Sequence, residues 1–257
     1  MNGNNGHPKQ RRVVVTGLGA MSSNGVGIEE FWNATRSGKS GIDTITSFDP
    51  ESLSCRIAGE VKNFKPEDYL APRELKRVGR AVPLAIAATK EALRVAQVCL
   101  HETSLEEKRS WGVVLGSGGG TPDFVEEQYR LYFGDQLRKV SAYNVSSSTL
   151  GTISSEVSLY FGFRGSSPMV STGCTRSTDA IGYAFNMIRF GLADCLITGG
   201  VDATITPGIM QGFCIMQAVS TSHNENPSCG SRPFDRMRDG FVLGEGAWTL
   251  VLEERDH

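Results

Sequence analysis

The sequence predicts an α/β layered fold in which helices cover a mixed, mainly parallel sheet. Short apolar runs alternate along the chain with helical patterns. This alternation is typical of strand–helix–strand connections, which place neighbouring strands parallel. One helical pattern, directly after Cys174, is apolar on nearly every side. It therefore predicts a central helix that is buried within the fold.

Apolar runs bounded by glycine or by polar residues predict the strands. The first runs from Arg11 to Gly19 and is expected to end in a glycine loop. The second runs from Trp111 to Leu115 and ends in the glycines of 116–120. The remaining predicted strands lie at 167–171, 195–199 and 247–253.

Helical spacing of apolar side chains predicts the helices between these strands. The longest pattern covers 72–98, where Pro83 must kink or split the helix because proline has no amide hydrogen to donate. Residues 40–70 are rich in loops, with Pro50 and Pro66 as breakers. The other predicted helices lie at 28–36, 124–133, 149–161 and 208–218.

Composition excludes several classes of protein. The chain has 257 residues, of which 39% are hydrophobic, enough for one large domain or two small ones. A net charge of −2 points neither to nucleic acid nor to a membrane surface. We predict no membrane span, because no apolar run approaches about 20 residues. The polar segment 1–10 is predicted to be a disordered tail, and it lacks the apolar core of a signal peptide.

The cysteines indicate a reducing compartment. The chain has six, with no C-x-x-C pair and no cluster among its four histidines. This pattern argues against a metal site and against a disulfide framework. It fits a cytoplasmic protein.

Cys174 is the leading candidate for a catalytic residue. It follows a short apolar run and the dipeptide Thr172-Gly173, and it precedes the apolar helix. A strand that turns sharply into a helix presents a side chain at the helix N-terminus, where free N–H groups stabilise a thiolate. The alternative is a buried structural cysteine, which most free cysteines are. The local sequence leaves both interpretations open.

Two glycine-rich segments raise the alternative of nucleotide binding. Gly17-Leu18-Gly19 follows a strand, but Ser22 stands where the dinucleotide fingerprint has glycine. The glycines of 116–120 are not followed by Lys-Ser/Thr, so they do not form a P-loop. Tight turns and close packing account for both segments.

Four segments together carry a resemblance to a known family. In chain order they are Arg12-Val-Val-Val-Thr-Gly-Leu-Gly19, Val170-Ser-Thr-Gly-Cys-Thr175, Gly199-Gly-Val-Asp202 and Ser231-Arg-Pro-Phe-Asp-Arg-Met-Arg-Asp-Gly-Phe-Val-Leu-Gly-Glu-Gly-Ala247. This chain resembles the β-ketoacyl–acyl-carrier-protein synthases, and its sequence around Cys174 is similar to that of type II polyketide ketosynthases. The resemblance implies the N-terminal half of a thiolase-like fold over 11–257, with the C-terminal half absent.

The resemblance also implies a reaction. Cys174 would accept an acyl group from an acyl carrier protein, and its backbone N–H would be one oxyanion donor. The acyl-enzyme would then condense with malonyl-carrier by decarboxylative Claisen chemistry in fatty-acid or polyketide elongation. No metal or free cofactor is expected, because phosphopantetheine is carried on the acyl carrier protein.

The chain departs from the family in its histidines. The decarboxylation histidines and the second oxyanion donor lie in the family's C-terminal half, and no histidine here has their sequence context. We interpret His223, in a polar loop, as solvated. Either the chain is a fragment, or a second chain supplies the other half.

Other residues receive roles through the resemblance. Arg73, Lys76, Arg77 and Arg80 share one face of the predicted helix, which is either a solvated face or a docking stripe for the acidic carrier protein. Phe213 would line the acyl pocket. Gln217 stands where relatives have a further basic residue, which puts that contact in doubt. Asp239 and Glu245 are interpreted as architectural.

Two other functions stay open. The chain could be a non-catalytic partner subunit like a chain-length factor, although such subunits typically replace the cysteine. It could also be a cysteine hydrolase, which requires a histidine within reach of Cys174. The resemblance implies a homodimer or a ketosynthase heterodimer. A half-fold with a bare central helix would expose a large apolar surface, so we also expect the chain alone to be poorly soluble or to associate.

Overall fold

A computed structural model describes residues 10–257. The predicted tail at 1–10 therefore lies outside the described residues, except for Gln10. The strands are β1 (Val13–Ser22), β2 (Gly25–Val26), β3 (Asp43–Thr44), β4 (Ile57–Ala58), β5 (Trp111–Gly116), β6 (Met169–Val170), β7 (Cys195–Asp202) and β8 (Gly246–Glu254). The helices are α1 (Ile28–Arg36), α2 (Pro72–Leu75), α3 (Ala81–Val95), α4 (Pro122–Phe133), α5 (Asn144–Ser147), α6 (Thr152–Phe161), α7 (Arg176–Arg189) and α8 (Pro207–Ile215). Within 10–257, no helix is both long and apolar enough to cross a membrane.

The main sheet has six strands in the order β2-β1-β8-β7-β5-β6. β5 pairs in parallel with β6 and β7, whereas β8 runs antiparallel to both β7 and β1. The mixed sheet is confirmed, but the expectation that it is mainly parallel is wrong. Gly246 at the start of β8 lies opposite Asp202 at the end of β7. The chain thus re-enters the sheet at the end where it left, which forces β8 to run in the opposite direction.

Helices cover both faces of this sheet, as the fold class predicts. α3 and α6 pack on one face and α7 packs on the other. Along β5, Val113 and Leu115 belong to the core beneath α3, whereas Val114 belongs to the core beneath α7. This alternation buries both sides of one strand, because successive side chains point to opposite faces.

The first glycine segment serves packing between a strand and a helix. Gly17 and Gly19 lie inside β1, which continues to Ser22, so the predicted loop at this point is wrong. A Cβ atom at Gly19 would lie 1.9 Å from the carbonyl oxygen of Ala88 in α3. Glycine at this position therefore allows α3 to approach β1 closely, and this packing explains the segment without nucleotide binding.

The predicted helix over 72–98 is interrupted before Pro83. α2 ends at Leu75 and α3 begins at Ala81, with turns in between. Pro83 lies in the first turn of α3, where an amide hydrogen has no partner within the helix. The break falls at 76–80 instead, so the four basic residues do not share the face of one continuous helix.

α7 is buried on one side only, which corrects the prediction of a helix buried all round. Ala180, Ala184 and Ile188 face the sheet with no exposed surface. Small side chains at 180 and 184 bring the helix close to the strands. On the other side, Tyr183 is 61% exposed. Because apolar residues also occupy this exposed side, the sequence pattern predicted burial on all sides of the helix.

Candidate functional site

Cys174 lies in a sharp turn between β6 and α7, as the sequence predicts. A 3₁₀ turn spans Gly173–Thr175, and α7 begins at Arg176. Gly173 has φ of +69°, a backbone conformation that favours glycine. Cys174 is exposed. The alternative of a buried structural cysteine is therefore wrong for this residue.

The thiol opens into a cleft of about 370 Å³ at one end of the sheet. The cleft is lined by Gly116, Cys174, Arg176, Ser177, Gly200, Val201, Asp202, Thr204, Leu243, Gly244, Gly246 and Trp248. Glycines at the strand ends let the start of α7 approach the sheet. A Cβ atom at Gly116 would lie 2.5 Å from the main chain of Arg176. Across residues 10–257, no group of three or more His, Cys, Asp or Glu side chains could hold a metal ion.

Asp179 fixes the turn from the helix side. Its carboxylate accepts hydrogen bonds from the hydroxyls of Thr172 and Thr175, the latter at 2.9 Å. These bonds lower the pKa of Asp179 below its ordinary value, the bond from Thr172 having the larger effect. The residues on either side of Gly173-Cys174 are thus tied to the first turn of α7.

Arg176 fixes the turn from the sheet side. Its Nε donates to Asp202 Oδ2 at 2.8 Å, and its Nη1 donates to the carbonyl oxygen of Gly173 at 2.6 Å. Asp202 lies at the end of β7, and its other oxygen accepts bonds from Gly118 N at 3.1 Å and Gly119 N at 3.0 Å. The second glycine segment is therefore a turn that binds Asp202, an internal carboxylate.

The described histidines do not line the cleft. His223 belongs to a separate network, in which its Nδ1 lies 3.3 Å from Ser220 Oγ and 3.7 Å from Asp239 Oδ1. Its side chain is only 17% exposed, so its interpretation as solvated is wrong. The loop contacts Asp239, which is not a near neighbour in the sequence, so the sequence alone did not indicate that His223 is partly buried. Within 10–257, the cleft thus lacks the histidine that a cysteine hydrolase requires.

Asp239 organises the loop that carries His223. It accepts hydrogen bonds from Ser220 Oγ at 2.7 Å and from the main-chain N–H groups of Thr221 and Ser222, both at 2.9 Å. Burial acts to raise the pKa of Asp239, but these hydrogen bonds outweigh it and hold the pKa far below its ordinary value. These contacts are those of an architectural residue.

The four predicted docking residues fall into two pairs. Arg80 forms a forked ion pair with Glu245, in which both donor–acceptor distances are 2.8 Å. Arg77 binds Glu156 at 3.0 Å. Arg73 and Lys76 are exposed. Two of the four cations are therefore neutralised within the fold, and docking remains a prediction that rests mainly on the exposed pair.

Phe213 lies in α8, half-buried, with its ring edge-on to Phe241 at a centroid distance of 5.1 Å. It does not line the cleft at Cys174. Gln217 follows α8 with φ of +53°. The acyl-pocket role of Phe213 stays a prediction.

Comparisons with known proteins identify the family of this chain. A family model described as the N-terminal domain of beta-ketoacyl synthase matches residues 10–257. The chain belongs to the β-ketoacyl synthase family.

Curated relatives in this family are longer than the present chain. The chain is 39% identical over 248 residues to 3-oxoacyl-[acyl-carrier-protein] synthase 2 of Vibrio cholerae, a match that covers 96% of this chain and 59% of the relative. It is 37% identical over 245 residues to the enzyme of the same name from Staphylococcus aureus strain COL, covering 95% and 58%. The chain thus spans about three fifths of the length of these relatives.

Solved ketosynthase structures share the fold. The ishigamide ketosynthase/chain length factor matches with a TM-score of 0.85 at 29% identity, covering 96% of this chain and 59% of that one. A beta-ketoacyl synthase from Burkholderia phymatum matches with a TM-score of 0.84 at 29% identity, covering 96% and 60%. The thiolase-like α/β fold is thereby confirmed.

Sequence reasoning singled out Cys174, the candidate nucleophile of this β-ketoacyl synthase domain, but missed the residues that hold its turn. Arg176 and Asp202 received no role, although Asp202 closes one of the four family segments. The available signal was a charged side chain two positions after the cysteine, at the start of the helix. Its partner could not be identified, because 26 positions separate the two residues.

Proposed function

We propose that this chain carries the acyl-accepting part of a β-ketoacyl synthase, with Cys174 as the nucleophile. The supporting observation is the exposed thiol in a fixed turn at the end of a cleft. In this step Cys174 Sγ attacks the thioester carbonyl of an acyl carrier protein. A new C–S bond forms, the bond to phosphopantetheine breaks, and the proton of Cys174 leaves on the released thiol.

The tetrahedral intermediate of this step carries a negative oxygen. We propose that the backbone N–H of Cys174 is one of its donors, since a preorganised N–H stabilises charge as it develops. Support comes from the hydrogen bonds that hold the turn on both sides, from Arg176 and to Asp179. The phosphopantetheine arm arrives with the carrier protein, so this step uses no free cofactor.

Condensation with malonyl-carrier needs further groups. Loss of CO₂ from the malonyl unit produces an enolate whose charge must be stabilised before it attacks the acyl-enzyme. Within 10–257, no histidine lines the cleft. We propose that a histidine-bearing segment outside this sequence, on the same polypeptide or on a separate chain, completes the site.

The acyl group itself needs an apolar channel. We propose that Phe213 lines it. Phe213 and Leu243 pack against the same apolar cluster, and Leu243 also lines the cleft at Cys174. Leu243 thus connects the cleft to the apolar cluster that contains Phe213.

We propose that exposed basic side chains bind the acidic carrier protein. Arg73 and Lys76 are free to contact a partner, whereas Arg77 and Arg80 are held in ion pairs. A solved type II polyketide ketosynthase that shares this fold is in complex with its acyl-carrier protein. We propose that the exposed pair contributes most of the attraction, because charged surfaces steer encounter.

We also propose that the chain associates as a homodimer or a ketosynthase heterodimer, in the cytoplasm. Exposed apolar side chains lie on and near α4, α5 and α6, and exposed apolar surface of this kind is typical of an interface. They are Tyr129, Tyr132, Phe133, Leu137, Val145 and Leu159. All six cysteines lie in the described residues and none is paired, which supports a reducing compartment.

Mass spectrometry after incubation with an acyl-carrier protein tests the proposal. The expected result is a single acyl adduct, lost in Cys174→Ala and retained in the control Cys229→Ala, which removes an exposed thiol outside the cleft. An adduct that survives Cys174→Ala would contradict the assignment. Absence of any adduct would favour the alternative of a non-catalytic partner subunit like a chain-length factor.

A further inference from the structure

One hydrogen bond of Arg176 acts on the peptide unit that contains the Cys174 amide. Nη1 of Arg176 donates to the carbonyl oxygen of Gly173 at 2.6 Å. That oxygen and the N–H of Cys174 belong to the same planar peptide group. A bond that fixes the oxygen therefore also fixes the direction in which the Cys174 N–H points.

This peptide group needs an external restraint. Gly173 has φ of +69°, and a Cβ at this position would meet no atom within 4 Å. Glycine has no Cβ and therefore few steric limits on its backbone dihedral angles, so the residue itself does not favour one orientation of the peptide that follows it. The first N–H of α7 also reaches the Gly173 oxygen, but that bond lies at a helix terminus, where such bonds fray.

The guanidinium is itself held in place. Its Nε donates to Asp202 Oδ2 at 2.8 Å, and Asp202 is only 15% exposed. Asp202 in turn accepts bonds from Ser117 Oγ, Gly118 N and Gly119 N. A Cβ at Gly118 would lie 2.8 Å from Arg176 Cζ, so glycine there makes room for the flat face of the guanidinium.

The same turn returns to the strand before the thiol. Ser117 N donates to the carbonyl oxygen of Val170, the last residue of β6, at 3.1 Å. The contacts form a closed ring from β6 through the glycine turn, Asp202 and Arg176 to Gly173. A side chain restrained at both ends can fix a third group accurately.

We propose that Arg176 is a positioning residue that orients and polarises the Gly173–Cys174 peptide, so that its N–H faces the oxyanion. This inference rests on the proposed acyl transfer. A charged donor on a carbonyl oxygen draws electron density through the amide and strengthens its N–H as a donor. Arg176 acts through the peptide, and it does not need to touch the substrate.

Two rates measured on the same thiol test this role. Acylation by an acyl-carrier protein passes through an oxyanion, whereas alkylation by iodoacetamide does not. In Arg176→Gln we expect acylation to fall about ten- to hundredfold, less than the loss of a whole oxyanion donor, while alkylation stays within about threefold. Arg176→Lys should restore acylation only in part, because an ammonium cannot bind Asp202 and Gly173 as a fork does.

The control variant is Arg189→Gln, at the other end of α7 and outside the cleft. It should leave both rates unchanged. Equal losses of acylation and alkylation in Arg176→Gln would show a general structural effect and overturn the inference, as would unchanged acylation. If Arg176→Gln does not fold, the same separation of the two rates is required of Arg176→Lys.

A spectroscopic measurement separates failure of this inference from failure of the proposed function. If the wild-type chain takes no acyl group, the proposed function fails. The carbonyl ¹³C resonance of Gly173 still reports its hydrogen bond to Arg176. We expect this resonance to move upfield in Arg176→Gln and not in Arg189→Gln. An unchanged resonance would overturn the inference whatever the acylation result.

Discussion

Arg80 is one of the four residues expected to dock the carrier protein, but it forms an ion pair with Glu245. We expect this ion pair to stabilise the fold. Glu245 precedes β8 and its side chain is only 5% exposed. It accepts two bonds from Arg80 and one from Val61 N at 2.8 Å. The change to make is Glu245→Gln, which keeps the volume of the side chain and removes its charge.

The structure sets the size of the effect. Removing one partner of a fully buried ion pair costs about 3–5 kcal/mol of unfolding free energy. The Arg80 side chain is 35% exposed, so water stabilises part of the charge that is left unpaired. We therefore expect Glu245→Gln to lower the free energy of unfolding by about 2–3 kcal/mol.

Urea denaturation followed by circular dichroism measures this difference. The matched control is Glu225→Gln, whose partner Arg56 lies at a similar 2.8 Å but whose side chain is 92% exposed. The control should lose at most about 0.5 kcal/mol. Because Arg80 and Glu245 interact directly, Glu245→Gln made in an Arg80→Met background should cost much less than it costs alone.

Equal losses in Glu245→Gln and in the control would refute the reasoning. The same series tests docking at Arg80. A variant Arg80→Gln that weakened binding of the carrier protein without lowering stability would show that Arg80 contacts the partner. Our expectation is the reverse, a loss of stability with little change in affinity.

Three further predictions follow from packing, charge and burial. Gly19→Ala should lower the unfolding free energy by about 3 kcal/mol because its Cβ would collide with α3, whereas Gly182→Ala, with nothing within 4 Å, should raise it by about 0.5–1 kcal/mol in the same denaturation assay. The lowered pKa of Asp239 means that its ionised form stabilises the fold above the unfolded pKa of about 3.9, and that this stability is lost as the pH falls through the lower folded pKa. An acid titration of Asp239→Asn should therefore show lower stability at neutral pH and a shallower decline below about pH 4 than the wild type, and parallel curves would contradict this account. Burial raises the pKa of the Cys55 and Cys195 thiols, so peptide mapping after native alkylation should find both unmodified. Their labelling at the rate of the exposed cysteines would show that the core opens.

The sequence predicted well the features that depend on neighbouring residues. The strand, turn and helix around Cys174 follow from a short apolar run, a glycine and a helical pattern within a few positions. The helix at Ile28–Arg36 was predicted with its observed bounds. The helical pattern at 72–98 misled because Pro83 can occupy a first turn as readily as it can break a helix.

The direction of β8 was not predictable from alternation of strands and helices. The connection from β7 contains α8 and a long loop, and only its path through space shows that the chain re-enters beside the end of β7. The half-buried state of α7 was missed for a related reason. The side of α7 that faces away from the sheet carries the same types of apolar residue as a buried core, so the sequence does not distinguish the exposed side from the buried one.

The sequence by itself determined the family, the candidate nucleophile Cys174 and the type of turn that presents it, because each is encoded in a short run of residues. The tertiary structure alone decided which charges are paired. Arg176 meets Asp202 across 26 positions, and Arg80 meets Glu245 across 165. Ion pairs and hydrogen bonds depend on distances of a few ångströms in space and not on separation along the chain. Only the folded chain therefore shows which charged groups are in contact.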